Sequence, residues 1–176
     1  EELNRVAVLG LVAQLQPKVS LVSNQASETN TAPLVTRIRM IEPGFAWLQI
    51  GRVESGLAQA VRTAYEPLHA SNSLNGLVVD LRYAGGVDYG TAAETADLFF
   101  KTEQALLQWG SHSARSSAKV GVIDLPMVVL INSRTTGAAE ALAAALRQAE
   151  SAVLIGSPTA GQAYLYDEFR LADGET

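Results

Sequence analysis

The sequence predicts an α/β fold in which helices cover a mainly parallel sheet. Runs of consecutive apolar residues in LVVDLR (77–82) and PMVVLIN (126–132) are typical of strands buried on both faces of such a sheet. Segments with helical periodicity separate these runs, and alternating strands and helices indicate a layered α/β architecture. The length of 176 residues suits one compact domain.

The first 44 residues are predicted to contain a helix, a connector and a strand. The apolar run in VAVLGLVAQL (6–15) is too short to span a bilayer, and the acidic start argues against a signal peptide, so a buried helix ending before Pro17 is expected. Residues 18–43 read as a connector with strands at VSLV (19–22) and TRIRMI (36–41). The turn EPG (42–44) closes this region.

The central elements follow from periodicity. FAWLQIGRV (45–53) reads as a strand, and residues 54–71 as an amphipathic helix with Leu57, Val61 and Leu68 on one face. A helix is expected at 91–100, where Asp88 is placed to cap its first turn.

The remaining segments complete the alternation. Their predicted structures are a strand at 105–110, a polar loop at 111–121, an Ala-rich helix from Gly137 to about Glu150, a third buried strand at 152–156 and an alternating strand at 164–171.

Composition excludes several classes of site. The net charge is −5 without a Lys/Arg cluster, so no nucleic-acid partner is predicted. The chain has no cysteine and only two histidines, His69 and His112, which are expected to be exposed or near element ends. No metal site or cofactor is therefore predicted. Membrane insertion is not predicted either, because the apolar run at 6–15 is too short to span a bilayer.

Three segments carry a family resemblance. GLVVDLRYAGG (76–86), VVLINSRTTGAAEALAAAL (128–146) and AVLIGSPTAGQA (152–163), followed by RLADG (170–174), resemble the motifs of the C-terminal processing, or tail-specific, serine peptidases in order and spacing. The resemblance implies a Clp protease/crotonase-like layered sheet with crossover helices, truncated at the C-terminal end. It also implies an extracytoplasmic location.

The family's catalytic residues are a serine nucleophile and a lysine base. Ungapped alignment of the motifs places Gly137 at the serine position and Gln162 at the lysine position. A glycine offers no nucleophile and a glutamine amide no base near neutral pH, so no catalytic residue is expected to be intact.

The resemblance assigns an oxyanion hole to the backbone of Gly85, Gly86 and Ala138, here named the cradle. The turn is one residue shorter than the family's, with Tyr83-Ala84 in place of Gly-Asn-Pro, and the two glycines also suit a plain strand-to-helix turn. Three charged residues are given structural roles: Asp80, Arg82 and Glu140.

Two domains are predicted: residues 1–43, an N-terminal helix and connector without a PDZ module, and residues 44–176, a tail-specific protease-like core.

The favoured function is an inactive relative that binds a peptide or protein segment in the former active-site cleft. One alternative is a serine-type peptidase whose nucleophile is Ser133, Thr135, Thr136 or Ser157. No lysine is near these residues in sequence, although Lys101 and Lys119 are not necessarily remote in space. The other is a carrier of a small apolar ligand, in a cavity between the 128–131 strand and the 137–149 helix. The oligomeric state stays open.

Overall fold

The computed structural model describes residues 2–15, 33–42, 44–71, 73–149 and 152–166. Ala32–Leu165 forms one compact unit, whereas α1 and Tyr166 belong to a second one. The elements are α1 Glu2–Leu15, β1 Val35–Glu42, β2 Phe45–Ile50, α2 Leu57–Ser71, β3 Gly76–Asp80, α3 Tyr89–Asp97, β4 Ala105–Trp109, β5 His112–Arg115, β6 Met127–Ile131, α4 Ala138–Leu146 and β7 Ala152–Gly156.

A five-stranded sheet with the order β1-β2-β3-β6-β7 organises the larger unit. β1 pairs antiparallel with β2, and every other neighbouring pair is parallel. The predicted mainly parallel sheet is thus confirmed. The predicted domain boundary after residue 43 falls inside the β1–β2 hairpin, so β1 shares a sheet with the core strands.

The central strand of the sheet, β3, carries buried apolar side chains. Leu77 and Val79 of β3 are buried, and β3 pairs on one side with β2 and on the other with β6. A strand with neighbours on both edges and layers on both faces has no solvent-facing side, which explains its continuous apolar run.

Helix α2 buries a face of periodically spaced apolar residues, and helix α4 buries mainly alanines. Leu57, Val61 and Tyr65 of α2 are buried, as the periodicity predicts. Helix α4 is composed mainly of alanine, which lets its backbone lie close to the sheet and to α3. Asp88 caps α3 as predicted, because its carboxylate accepts hydrogen bonds from the Thr91 backbone N–H at 2.9 Å and from the Thr91 hydroxyl at 2.7 Å.

The predicted polar loop at 111–121 is wrong in its first part. Residues His112–Arg115 form β5, which pairs antiparallel with β4 in a separate two-stranded sheet. Gly110 adopts a φ of 54° and turns the chain back, so backbone pairing forms this strand without an apolar pattern.

Burial is wrongly predicted for two elements. The helix at the N-terminus exists as α1, but Leu3, Val6 and Leu11 on it are exposed rather than buried. β7 forms as predicted and is the last strand of the described sheet, yet Val153 and Ile155 are 59% and 51% exposed, so their face of the strand is largely uncovered. A run of apolar residues specifies the strand but not its place in the sheet.

Two further predictions concern the ends of elements. The α4 helix ends at Leu146 rather than near Glu150. Residues 164–166 have no regular structure, and the rest of the predicted 164–171 strand lies outside the described residues, as does the predicted strand at 19–22. Among the described residues, no helix is long and apolar enough to cross a bilayer.

Candidate functional site

The candidate site lies where parallel strands β3, β6 and β7 reach their carboxyl ends. Three loops leave the sheet there, at 81–88, 132–137 and 157–165. They contain Gly85, Gly86, Gly137 and Gln162, and Ala138 begins the helix that follows the second loop. Loops at this edge commonly form binding sites in α/β folds because the strands present them side by side.

The loop at 81–88 is fastened to both of its neighbours by backbone hydrogen bonds. The Val53 N–H donates to the Gly85 carbonyl at 2.8 Å, and the Thr136 N–H donates to the Ala84 carbonyl at 2.9 Å. Gly86 adopts a φ of 141°, and a Cβ built there would overlap the Val53 carbonyl oxygen. This position therefore requires glycine both for its conformation and for its close approach to β2's extension.

The start of α4 contacts this loop directly. The Ala138 N–H donates to the Gly86 carbonyl oxygen at 2.8 Å, and Ala138 is fully buried. Gly137 adopts φ 58° and ψ −126°, and a Cβ built there would overlap the same Gly86 oxygen. The structure thus brings the three cradle residues together, and a hydrogen bond joins Ala138 to Gly86.

Glu140 joins the second loop to the third. One carboxylate oxygen, Oε2, accepts from the Gly137 N–H at 2.9 Å and from the Gln162 N–H at 2.8 Å. The other, Oε1, accepts from the Gly161 N–H at 2.6 Å. Since Gly137 and Gln162 bond to one atom, the two positions aligned with the family's catalytic pair lie next to each other.

Asp80 and Arg82 form an ion pair at the end of β3. The Arg82 Nε and Nη2 donate to the two Asp80 oxygens at 2.9 and 2.8 Å, and Asp80 is fully buried. The side-chain hydrogen bond and then the charge of Asp80 raise the pKa of Arg82 above its ordinary value. The Arg82 backbone N–H also donates to Asp80, so this carboxylate holds the loop's first residues in the structural role predicted for it.

The hydroxyl groups near Gly137 differ in accessibility. Thr135 is fully buried, and its hydroxyl donates to the Leu81 carbonyl at 2.9 Å and accepts from the Asn132 N–H at 3.1 Å. Thr136 is half-buried, and its Oγ1 would lie 2.9 Å from a Cβ at Gly85. Ser133 and Ser157 are exposed.

The two lysines considered as bases are paired elsewhere. Lys119 Nζ lies 2.5 Å from the Asp97 carboxylate at the last residue of α3, and Lys101 Nζ lies 2.5 Å from Asp124. Helix α3 is nine residues long, so about 13 Å of helix separates Asp97 from the loop at its other end.

An apolar cleft of about 320 Å³, partly open to solvent, lies beside α4. It was not predicted from sequence. Tyr89 borders it and donates from its hydroxyl to the Tyr164 carbonyl at 2.8 Å. Its lining consists of Tyr89, Leu107, Gln108, Trp109, Gly110, Ala141, Ala163 and Leu165. Of the cavity predicted between β6 and α4, only α4 takes part, through Ala141.

Sequence reasoning missed the cleft because four separate segments form it. The available signals were aromatic residues at element ends, Tyr89 at the start of α3 and Trp109 at the end of β4. Within the part of the chain that the structure describes, no group of three His, Asp or Glu side chains is arranged to hold a metal ion.

Comparison with known proteins gives consistent matches. Residues 44–176 match the sequence profile of Peptidase family S41. The chain is 25% identical over 169 residues to "Carboxyl-terminal-processing peptidase 2, chloroplastic" of Arabidopsis thaliana, covering 90% of this chain and 33% of that protein. It is 28% identical over 172 residues to "Carboxy-terminal processing protease CtpA" of Bacillus subtilis, covering 90% and 37%.

Solved structures show the same architecture. The photosystem II D1 C-terminal processing protease superposes with a TM-score of 0.60 at 26% identity, covering 74% of this chain and 35% of that one. The tricorn protease, at 16% identity and a TM-score of 0.51, shares the fold over 75% of this chain and 12% of its own. The chain spans about a third of the length of the curated relatives it matches.

Proposed function

This chain belongs to peptidase family S41, and from that premise we propose that it is a non-hydrolytic member that binds peptide or protein segments beside α4. The observation that carries the proposal is Gly137 at the start of α4, where the family motif has its serine. The names of its relatives describe processing of protein carboxyl termini, which favours a peptide as the bound molecule.

The chemistry of a hydrolase needs a nucleophile that this position lacks. Loss of the nucleophile in a serine peptidase lowers turnover on the order of a millionfold. Gln162, next to Gly137 through Glu140, carries an amide that does not accept a proton near neutral pH. The proposal therefore expects no measurable peptide cleavage.

The alternative of an unconventional nucleophile receives no support from Thr135. Its hydroxyl is fully buried and occupied by two backbone groups, so no substrate carbonyl reaches it. Lys119 and Lys101 are held in ion pairs by Asp97 and Asp124. The alternative rests on Thr136, Ser133 and Ser157.

The cleft supports peptide binding. Its lining is mainly apolar, with Tyr89, Trp109 and Leu165 supplying most of the large side chains. Its volume of about 320 Å³ accommodates one large side chain of a bound segment. Because the cleft is partly open, the rest of an extended peptide could continue across the surface, which favours a peptide over an enclosed small ligand.

Tryptophan fluorescence tests binding directly. The chain has two tryptophans, so the Trp47→Phe variant leaves Trp109 in the cleft as the sole emitter. We expect a saturable change in its emission on titration with a blocked Leu/Ala-rich octapeptide. In that background, Ala163→Phe fills the cleft from an exposed position and should weaken binding at least about tenfold.

Ser157→Phe is the matched control, because Ser157 is exposed on the same loop but does not line the cleft. Equal loss of binding in both variants, or no saturable change in the parent, would remove the proposed binding site. Free leucine binding as tightly as the octapeptide would instead support the small-ligand alternative.

A cleavage assay tests the absence of hydrolysis. The wild-type protein in large excess over a reporter peptide should release no product beyond that of a buffer control. Cleavage that survives repurification and disappears in Thr136→Ala, Ser133→Ala or Ser157→Ala would contradict the proposal and identify the nucleophile.

A further inference from the structure

The backbone of Gly86 occupies space beside Gly137 that a side chain at position 137 would need. A Cβ built on Gly137 in its present conformation would overlap the Gly86 carbonyl oxygen. This oxygen is held in place by the Ala138 N–H at 2.8 Å. The protein backbone has thus filled the volume that a nucleophilic side chain would begin to occupy.

The same contact occupies a donor of the cradle. An amide has one hydrogen, so the Ala138 N–H cannot bind a substrate oxygen while it donates to Gly86. The neighbouring Gly137 N–H donates to Glu140. Both donors at the start of α4 are therefore satisfied by the protein itself.

The peptide unit between Gly86 and Val87 follows the part of the loop that is bonded to neighbouring segments. Residues 84 and 85 are fixed by their bonds to Thr136 and Val53, whereas the Val87 side chain is 73% exposed. In a trans peptide the carbonyl and the following N–H point in opposite directions, so a half-turn would exchange the Gly86 oxygen for the Val87 N–H.

We propose that residue 137 sets the state of the cradle. With glycine there, the Gly86 carbonyl enters and closes the cradle. With any side chain there, the carbonyl is excluded and the Gly86–Val87 peptide turns, which places the Val87 and Ala138 N–H groups side by side. The wild-type chain therefore lacks an available oxyanion site as well as a nucleophile, independently of whether a peptide binds the cleft.

Nuclear magnetic resonance of the wild-type protein tests the closed state. A coupling through the hydrogen bond between the Ala138 nitrogen and the Gly86 carbonyl carbon is expected, together with slow hydrogen exchange at the Ala138 amide. Absence of this coupling in well-resolved spectra would overturn the proposal, and the measurement needs neither a variant nor a peptide.

The Gly137→Ala variant tests the opening, with Gly161→Ala as its matched control. Both glycines have positive φ, at 58° and 68°, but a Cβ at Gly161 would meet no atom within 4 Å. Only Gly137→Ala should therefore displace the carbonyl. We expect it to lose the coupling and to speed Ala138 amide exchange at least about tenfold over the control.

Retention of the coupling in a folded Gly137→Ala protein would overturn the proposal. If that variant does not fold, the wild-type coupling still decides whether the cradle is closed. A closed cradle with no peptide binding would contradict the proposed function alone, and binding with no coupling would contradict this inference alone.

Discussion

The two sides of the first turn of α4 are built in opposite ways. On one side, backbone groups of Gly86, Gly137 and Gln162 fill the space through hydrogen bonds to Ala138 and Glu140. On the other side, aromatic and aliphatic side chains surround an open cleft next to Ala141. The backbone contacts on the closed side leave no room for a ligand. The cleft on the open side has room for one, so we assign the proposed binding to the open side.

Gly86 is a tightly packed point of the closed side. Gly86→Ala should lower the free energy of unfolding by about 3 kcal/mol, because the added Cβ overlaps the Val53 carbonyl at a φ that suits glycine. Gly161→Ala should cost about 1 kcal/mol, since it adds only backbone strain. Urea denaturation measures both, and equal losses would show that the closed side is no tighter than an open loop.

Glu140 is the next largest contributor to the closed side. Glu140→Ala removes the acceptor of three backbone N–H groups and should cost about 2 kcal/mol, a figure limited by the exposure of Gly161 and Gln162 to water. Glu94→Ala, at an exposed position of α3, should change stability by less than about 0.5 kcal/mol. A loss at Glu140 no greater than at Glu94 would contradict the assigned role.

The open side includes Tyr89, the first residue of α3, and Asp88 caps that helix. Asp88→Ala should cost about 1 kcal/mol, because Thr91 loses both hydrogen bonds to the Asp88 carboxylate. Asp124→Ala breaks an exposed ion pair with Lys101 and should cost less than about 0.5 kcal/mol. Thermal unfolding compares the two, and a larger effect at Asp124 would contradict the capping assignment.

The smallest expected effect is at Tyr89. Tyr89→Phe removes the hydroxyl that donates to the Tyr164 carbonyl and should cost about 0.5 kcal/mol. Hydrogen exchange at Tyr164 and Leu165 should become faster, while α4 stays protected. Tyr83→Phe, at an exposed position, is the control, and unchanged exchange in Tyr89→Phe would show that this bond does not hold the cleft wall.

Sequence patterns predicted the parallel strands and the three helices of the larger unit, because burial on both faces and helical periodicity leave direct traces in residue order. They did not predict β5, whose His112–Arg115 segment is polar and is set by the turn at Gly110. They also misjudged the exposure of Val153 and Ile155, since whether a strand face is covered depends on how the other elements pack against it.

The candidate site was predicted in part. The motifs named Gly85, Gly86 and Ala138, and the structure places them in contact. The direction of the Gly86 carbonyl could not be predicted, because it depends on two dihedral angles rather than on residue type. The three hydrogen bonds of Glu140 were likewise beyond prediction, since two of them go to backbone N–H groups of a loop 21 and 22 residues away.

The overlap between the Gly86 carbonyl and a side chain at position 137 also bears on the history open to this sequence. A single base change can turn a glycine codon into a serine codon, so the gene can readily produce the serine form. Under the inference drawn above, this serine would exclude the Gly86 carbonyl, so one substitution would change both residue 137 and the loop at 81–88. Under the proposed function, the family's catalytic pair would still lack its lysine, because position 162 is a glutamine, so completing the pair takes at least two substitutions.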